Sequence, residues 1–435
     1  MPENNNRLSF AYILYALLIL VAGYYLDRAL TIPLLSSFVL MAAAMMYIMR
    51  CTQEKEADLP FYWAMLLRLL LLFSIPGLSD DVYRFIWDGR LLTQMVDPYK
   101  ELPTTYLVQG IEGINIGLFA KLNSPEYFTV YPPFNQVFFF LSALLSPGSE
   151  FWSIVILRVI ILAFEFGNIR LIRKLLRHYG LPERYGLFYA LNPMVILELT
   201  GNLHFEAIMI FFLLLALWNY EQKKLHQSAI WFGLSVATKF LPLIFLPLLI
   251  RKIGFKKTMV YGLIVAGVLI ISFLPLINTA HIWAIKDSLE LYFQKFEFNA
   301  SIYYLARWYG FETEGHNIIA QSGKWMMAAT FIGIVLYSLL PSKKELPVRM
   351  LWVWTIYLLF ATTVHPWYAI PLLAISVFTE KRFAFLWTLL IFFTYANYLG
   401  GEYFEWIEIV IIEYSLVAIF ALYEATGRSL QRWFF

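Results

Sequence analysis

The stretch FYWAMLLRLLLLFSIPGLSDDVYRFIWDGRLLTQMVDPY, residues 61–99, runs from an apolar segment straight into two adjacent carboxylates. Its first part, 61–76, reads as a hydrophobic span. Asp80 and Asp81 follow at once, then Arg84, Asp88 and Arg90 among aromatic residues. Ionisable groups at a bilayer margin are costly and more often functional than those in water-soluble loops, so this junction fixes both the class of fold and the place to look for chemistry.

The rest of the chain agrees with that class. Of 435 residues, 60% are hydrophobic and only 14% charged, far from the balance of a soluble globular protein. Apolar runs of near-spanning length recur at 8–25, 32–49, 259–277 and 325–340. They are long runs rather than ~10-residue alternations, which predicts helices and not a membrane barrel. The expected fold is an all-α polytopic membrane protein, one integral domain over residues 1–435, whose polar N-terminal segment opens a retained first helix. A net charge of +3 spread over short loops gives no nucleic-acid surface, and a single cysteine, Cys51, excludes an internal disulfide and a Cys-rich metal site. No phosphate-binding loop, dinucleotide fingerprint or H-E-x-x-H is present, so the energy for any reaction arrives with the substrate or as a gradient.

Basic residues set the topology. Clusters at Arg170/Arg173/Lys174/Arg177/Arg184, Lys223/Lys224, Arg251/Lys252/Lys256/Lys257, Lys343/Lys344/Arg349, Lys381/Arg382 and Arg428/Arg432 are assigned to the cytoplasm. Between consecutive clusters lie pairs of short spans or a broken one. The turns between them then face outside, and they hold His204 with Asn202 and Glu206, then Lys239, then the loop 278–322, then His365, Trp367 and Tyr368, then Glu402 and Glu405. Counting spans from a cytoplasmic start puts Asp80 and Asp81 on that face too. The segment 134–145 spoils the parity if it crosses, and is expected to dip or half-span between Pro132/Pro133 and Pro147/Gly148. The outer loop 77–130 is expected to carry two surface helices, at about 80–95 and 111–121.

Each polar group has a plain reading beside a chemical one. On a helix, Asp80, Asp81, Arg84 and Asp88 share one arc opposite Val82, Phe85 and Ile86, with Ser79 or Asp80 as cap. That describes a solvated surface helix, or a carboxylate base with an arginine beside it. Lys239 is a snorkelling lysine or a cation for phosphate at a broken helix pair. His204 and His365 are interfacial histidines or site residues; Tyr131, before Pro132 and Pro133, belongs to the aromatic belt or stacks on a sugar.

Taken in order, SDDVYRFIWDGRLLTQMVDPY, VYPPFNQVFFF, ALNPMVILELTGNLHFEAIM, GLSVATKFLPLIFLPLL and TTVHPWYAIPLL resemble the motif series of GT-C class mannosyltransferases that use polyprenyl-phosphate mannose, bacterial α-mannosyltransferases and their GPI-mannosyltransferase relatives. The resemblance implies a GT-C-like bundle of about 12–14 transmembrane helices with a large first extracytoplasmic loop. It implies transfer of a hexose, mannose above others, from a polyprenyl-phosphate donor to a lipid or glycan acceptor, with inversion. Asp80, or Asp81 as the alternative, would be the general base; Lys239, Arg84, Arg90 and His365, with His204 close by, would hold the leaving phosphate; Tyr131 and Trp367 would line the sugar site. It requires no cofactor, a divalent metal being one addition that could bridge phosphate and carboxylate. The expected location is a bacterial inner membrane with the site facing the periplasm. The rival reading is a transporter or flippase of a lipid-linked or small polar solute; a noncatalytic membrane subunit of a glycan assembly machine is a third.

Overall fold

A computed structural model describes residues 2–53, 58–276 and 296–427. Part of the second outer loop, 277–295, and the basic cluster Arg428/Arg432 lie outside the described residues. What is described is all-α, with one isolated parallel bridge between Phe298 and Thr363.

Four described helices, covering Asn6–Tyr24, Thr31–Cys51, Phe255–Phe273 and Ile319–Leu339, are long and apolar enough to cross a bilayer alone. The pair Pro193–Gly201 and Glu206–Glu221 adds a fifth span if taken together, bent by 111°. Most other apolar helices are shorter, among them Pro133–Leu145, Leu346–Phe360, Pro366–Ser376 and Phe383–Tyr398. The sequence count of about 12–14 spans therefore includes half-length pieces, each below the ~20 residues of a full crossing. The breaks fall at Pro132/Pro133, at Asn202, at Lys239 and at His365, where the polar residues gather.

Broken helices leave backbone carbonyls that lipid cannot satisfy. The long helix Glu150–His178 supplies what is needed. Its buried Arg158 donates to the carbonyls of Thr200, Gly201, Leu72 and Ser74, closing the end of the span before Asp80 and the end of the 196–201 turn with one guanidinium. Two turns further along, Glu165 takes Arg68 Nε at 3.0 Å and the Tyr189 hydroxyl at 2.6 Å, a fully buried pair with its own hydrogen bonds.

The loop 77–130 departs from expectation. Its main helix is Asp81–Thr93, as anticipated, but it is buried rather than on the surface: Arg84, Asp88 and Arg90 are as enclosed as Val82, Phe85 and Ile86. The cause is helix Pro133–Leu145, which packs across it at Gly89. A Cβ there would stand 2.3 Å from the Phe139 carbonyl oxygen, a contact only glycine permits. Helix Pro133–Leu145 has 13 residues, about 20 Å, in keeping with the expected half-span. The helix expected over 111–121 is one turn, Ile116–Phe119, capped by Asn115, because Gly110 and Gly113 hold positive φ just before it. Leu102 and Pro103 start another short helix, Pro103–Val108.

The close approach makes a test. Gly89→Ala forces the two helices apart and costs about 1–3 kcal/mol, read as a lowered Tm of the purified protein in detergent. Gly267→Ala, on the helix Phe255–Phe273 with no atom within 4 Å of the new Cβ, is expected to be neutral or slightly stabilising. Equal Tm values for the two variants would mean that the Gly89 contact does not constrain the loop.

Candidate functional site

A cavity of about 870 Å³ opens where the breaks meet. Its lining includes Asp80, Asp81, His204, Lys239, His365 and Trp367, so four of the polar turns that sequence placed on one face come together, whereas Glu402 and Glu405 do not line it. An apolar arm is lined by Ile244, Phe273, Met327, Phe331, Ile334 and Phe360. Tyr131 and Arg84 border the cavity as well; Arg90 does not.

The charged residues of the helix Asp81–Thr93 divide into those that build and those that face the cavity. Asp88 is fully buried and accepts from Arg84 Nε at 2.9 Å, Thr129 Oγ1 at 2.6 Å and Gln136 Nε2 at 2.9 Å. Arg84 also donates to the Tyr127 carbonyl at 3.1 Å. This hub fastens the strap 127–136 to the helix, and Arg84 reaches the cavity wall from it. Arg90 points away and donates to the carbonyls of Gly113 at 2.8 Å and Gly148 at 3.2 Å, two glycines in the left-handed region that sharpen the loop.

The two acids differ. Asp80 precedes the helix but makes no capping bond, since its Oδ2 is drawn to Arg28 Nη2 at 2.5 Å; Ser79 Oγ takes the Asp81 N–H instead. Arg28 comes from the turn between the first two helices and lies 5.2 Å from the Tyr398 ring centre. Asp81 accepts from Asn123 Nδ2 at 2.7 Å on Oδ1, and its Oδ2 lies 3.9 Å from His204 Nδ1. Asp80 is thus held by a cation, while Asp81 meets a neutral amide and a histidine.

A further part of the lining is built on two breaks. A π-helical turn, Ile196–Gly201, ends at Asn202, whose Oδ1 accepts from Leu78 N at 3.0 Å and ties this break to the Asp80 loop. Leu203 then takes φ +63°, a conformation a leucine adopts only under constraint, and delivers His204 to the cavity. At the second break Lys239 pairs with Glu206 and sits 4.3 Å from the Tyr368 ring centre, with the preceding Thr238 carbonyl held by Asn135 at 2.9 Å. The Trp367 ring is sandwiched by histidines, His204 at 3.8 Å and His365 at 4.4 Å, nearly parallel to both. His365 is half-buried against the cavity, in the turn ahead of Pro366. Burial lowers its pKa first and the nearby Lys239 and His204 lower it further, which favours the neutral imidazole.

Three residues at this end were not singled out from sequence: Arg28, Asn123 and the fully buried Glu198, which lies 3.3 Å from His204 Nε2. A carboxylate within the apolar run MVILELTG was the signal for Glu198, and Arg28 stands in a turn that the span count assigns to the same face as Asp80. Asn123 carried no signal. Among the described residues no group of three or more His, Cys, Asp and Glu is arranged to hold a metal ion.

Residues 12–253 match the model of the MptA_B family, described as alpha-(1->6)-mannopyranosyltransferase, N-terminal domain. No curated protein matches the chain.

Proposed function

Because this chain belongs to the alpha-(1->6)-mannopyranosyltransferase family, and is a membrane mannosyltransferase by that membership, we propose that it takes mannose from a polyprenyl-phosphate donor and transfers it to a lipid or glycan hydroxyl at the extracytoplasmic face. One observation carries the reading: a single cavity is lined both by polar residues, Asp81 and Lys239 among them, and by apolar ones such as Ile244, Phe331, Ile334 and Phe360. A lipid-linked sugar has the same division. Its polyprenyl tail fits the arm beside Phe331 and Ile334, and its phosphate and hexose reach the polar end.

Asp81 is the general base. As the acceptor hydroxyl oxygen bonds to the anomeric carbon, Asp81 takes the hydroxyl proton and the anomeric carbon–oxygen bond to phosphate breaks. The bonding pair leaves on polyprenyl phosphate, whose added negative charge is met by Lys239 and Arg84. Attack opposite the leaving group inverts the anomeric centre. Asp80, neutralised by Arg28, keeps the approach to Asp81 from becoming a doubly negative surface. Tyr131 borders the cavity as an aromatic surface for the sugar, Trp367 sets the two histidine rings between which it lies, and His365 offers a neutral donor. The basic clusters flanking the spans support an outward-facing site.

The test is a donor comparison on the purified protein in nanodiscs, with an extract of cell-envelope lipids and glycans as acceptor. Transfer of labelled mannose from polyprenyl phosphate and none from a nucleotide-linked mannose is expected. Transfer from the nucleotide donor alone would remove the reading. Movement of the intact lipid-linked sugar across proteoliposomes with no sugar released would favour the transporter.

A further inference from the structure

We infer that Glu198 and His204 form a proton-receiving pair behind Asp81, with Glu198 as a positioning residue that orients the imidazole and His204 as the group that clears the base after each transfer. The inference rests on the reading of Asp81 as general base and adds a step to it.

The geometry is that of a carboxylate, an imidazole and a proton source in line. Glu198 Oε2 lies 3.3 Å from His204 Nε2, and Asp81 Oδ2 lies 3.9 Å from Nδ1 on the far side of the ring. Glu198 is held from behind: Oε1 accepts the Tyr395 hydroxyl at 2.6 Å, and Oε2 takes Asn202 Nδ2 at 3.4 Å. His204 Nε2 is buried and makes no aligned hydrogen bond, so its nearest polar neighbour is the carboxylate. The ring plane is set by the Trp367 face at 3.8 Å and the backbone by His204 N donating to the Glu198 carbonyl at 3.3 Å. None of these ties is needed to fold an interfacial turn. A buried carboxylate in an apolar span, a π-helical turn and a leucine at positive φ are all costs accepted at this one place.

A carboxylate at Nε2 favours the tautomer with its proton on that nitrogen and leaves the Nδ1 lone pair facing Asp81. Once Asp81 has taken the acceptor proton, it passes that proton to Nδ1. The product is an imidazolium beside the Glu198 carboxylate, and Asp81 is again an anion. The proton leaves to water at the cavity mouth, so the cycle balances as one acceptor proton released per sugar transferred. The 3.9 Å gap closes by a small movement of either side chain, or through one water. The other charged and titratable groups on this wall are His365 across Trp367, the Arg28–Asp80 pair and the Lys239–Glu206 pair.

The experiment compares wild type, Glu198→Gln and Asp81→Asn in nanodiscs, measuring kcat, donor KM and the pH profile of kcat. Glu198→Gln keeps an acceptor for Tyr395 and nearly the same volume. The expected result is a kcat lowered about 10- to 100-fold, a donor KM within about 2-fold of wild type, and an acid limb of the profile displaced to lower pH, since the imidazolium has lost its counter-charge. A purely structural Glu198 would leave the shape of the profile unchanged, and that outcome overturns the pair. If Glu198→Gln does not fold, His204→Gln is read for the same kcat loss at unchanged KM, and a wild-type kcat there is equally fatal. An active Asp81→Asn would remove the base itself, whereas an inactive Asp81→Asn with a wild-type Glu198→Gln would remove only the pair behind it.

Discussion

Asp81→Asn is expected to lower the kcat of mannose transfer about 10²- to 10⁴-fold with donor affinity nearly unchanged, while Asp80→Asn is expected to retain much more activity. The two acids are neighbours, and the sequence resemblance puts Asp80 first with Asp81 as the alternative. Their surroundings favour the reverse order. Asp80 pairs with Arg28, which occupies its Oδ2. Asp81 has one oxygen on the Asn123 amide and the other toward the cavity and His204. Asparagine at position 81 keeps the size and the Asn123 contact but cannot accept the proton, so the loss should fall on kcat. The measurement is steady-state transfer of labelled mannose by both variants, alongside Tm values showing that each is folded. The reverse order of effects would put the base at Asp80 and make Arg28 its tuning partner.

Lys239→Met should lower kcat/KM about 10²- to 10³-fold. Lys239 is a cation lining the cavity that Asp81 also borders, and its Glu206 partner makes the variant harsher than a simple loss of charge. With the ammonium gone, a carboxylate that is 4% exposed is left uncompensated beside the phosphate position, and it repels the leaving group. Lys239→Met combined with Glu206→Gln should therefore recover part of the lost rate, a non-additivity that a remote structural pair would not give. Lys239→Arg should keep more activity than Lys239→Met. Transfer kinetics on these three variants and on Glu206→Gln alone test this, and strict additivity would mean that Lys239 does not face the phosphate.

Much of the site is legible in the sequence because charge is scarce in this chain. Among so many apolar residues, each ionisable group within or beside a span stands out, and the basic clusters divide the turns between two faces. Asp80, Asp81, His204, Lys239 and His365 stand out in this way, and all of them border one cavity. Arg90 stands out equally but faces elsewhere, and the helix Asp81–Thr93 reads as solvated although it is buried. The arc of Asp80, Arg84 and Asp88 looks the same whether water or protein covers it, because helical spacing says nothing about the partner. The decisive residue is Gly89, whose missing side chain lets helix Pro133–Leu145 close over the helix and turns Arg84 and Asp88 into a buried hub. Arg28 escapes notice because the first two spans have no task in the resemblance. The structure gives them one, since the turn between them brings the cation that holds Asp80.

If the apolar arm holds the tail of a lipid-linked donor whose phosphate lies at Lys239, a polyprenyl phosphate carrying a photoreactive group near its phosphate end should crosslink to the walls of that arm. The labelled residues are read by peptide mass spectrometry. Labelling confined to 241–247, 326–335, Phe273 and Phe360, and competed by polyprenyl-phosphate mannose, is the expected result. Labelling spread over the lipid-facing helices, or unaffected by the competitor, would contradict this placement of the donor.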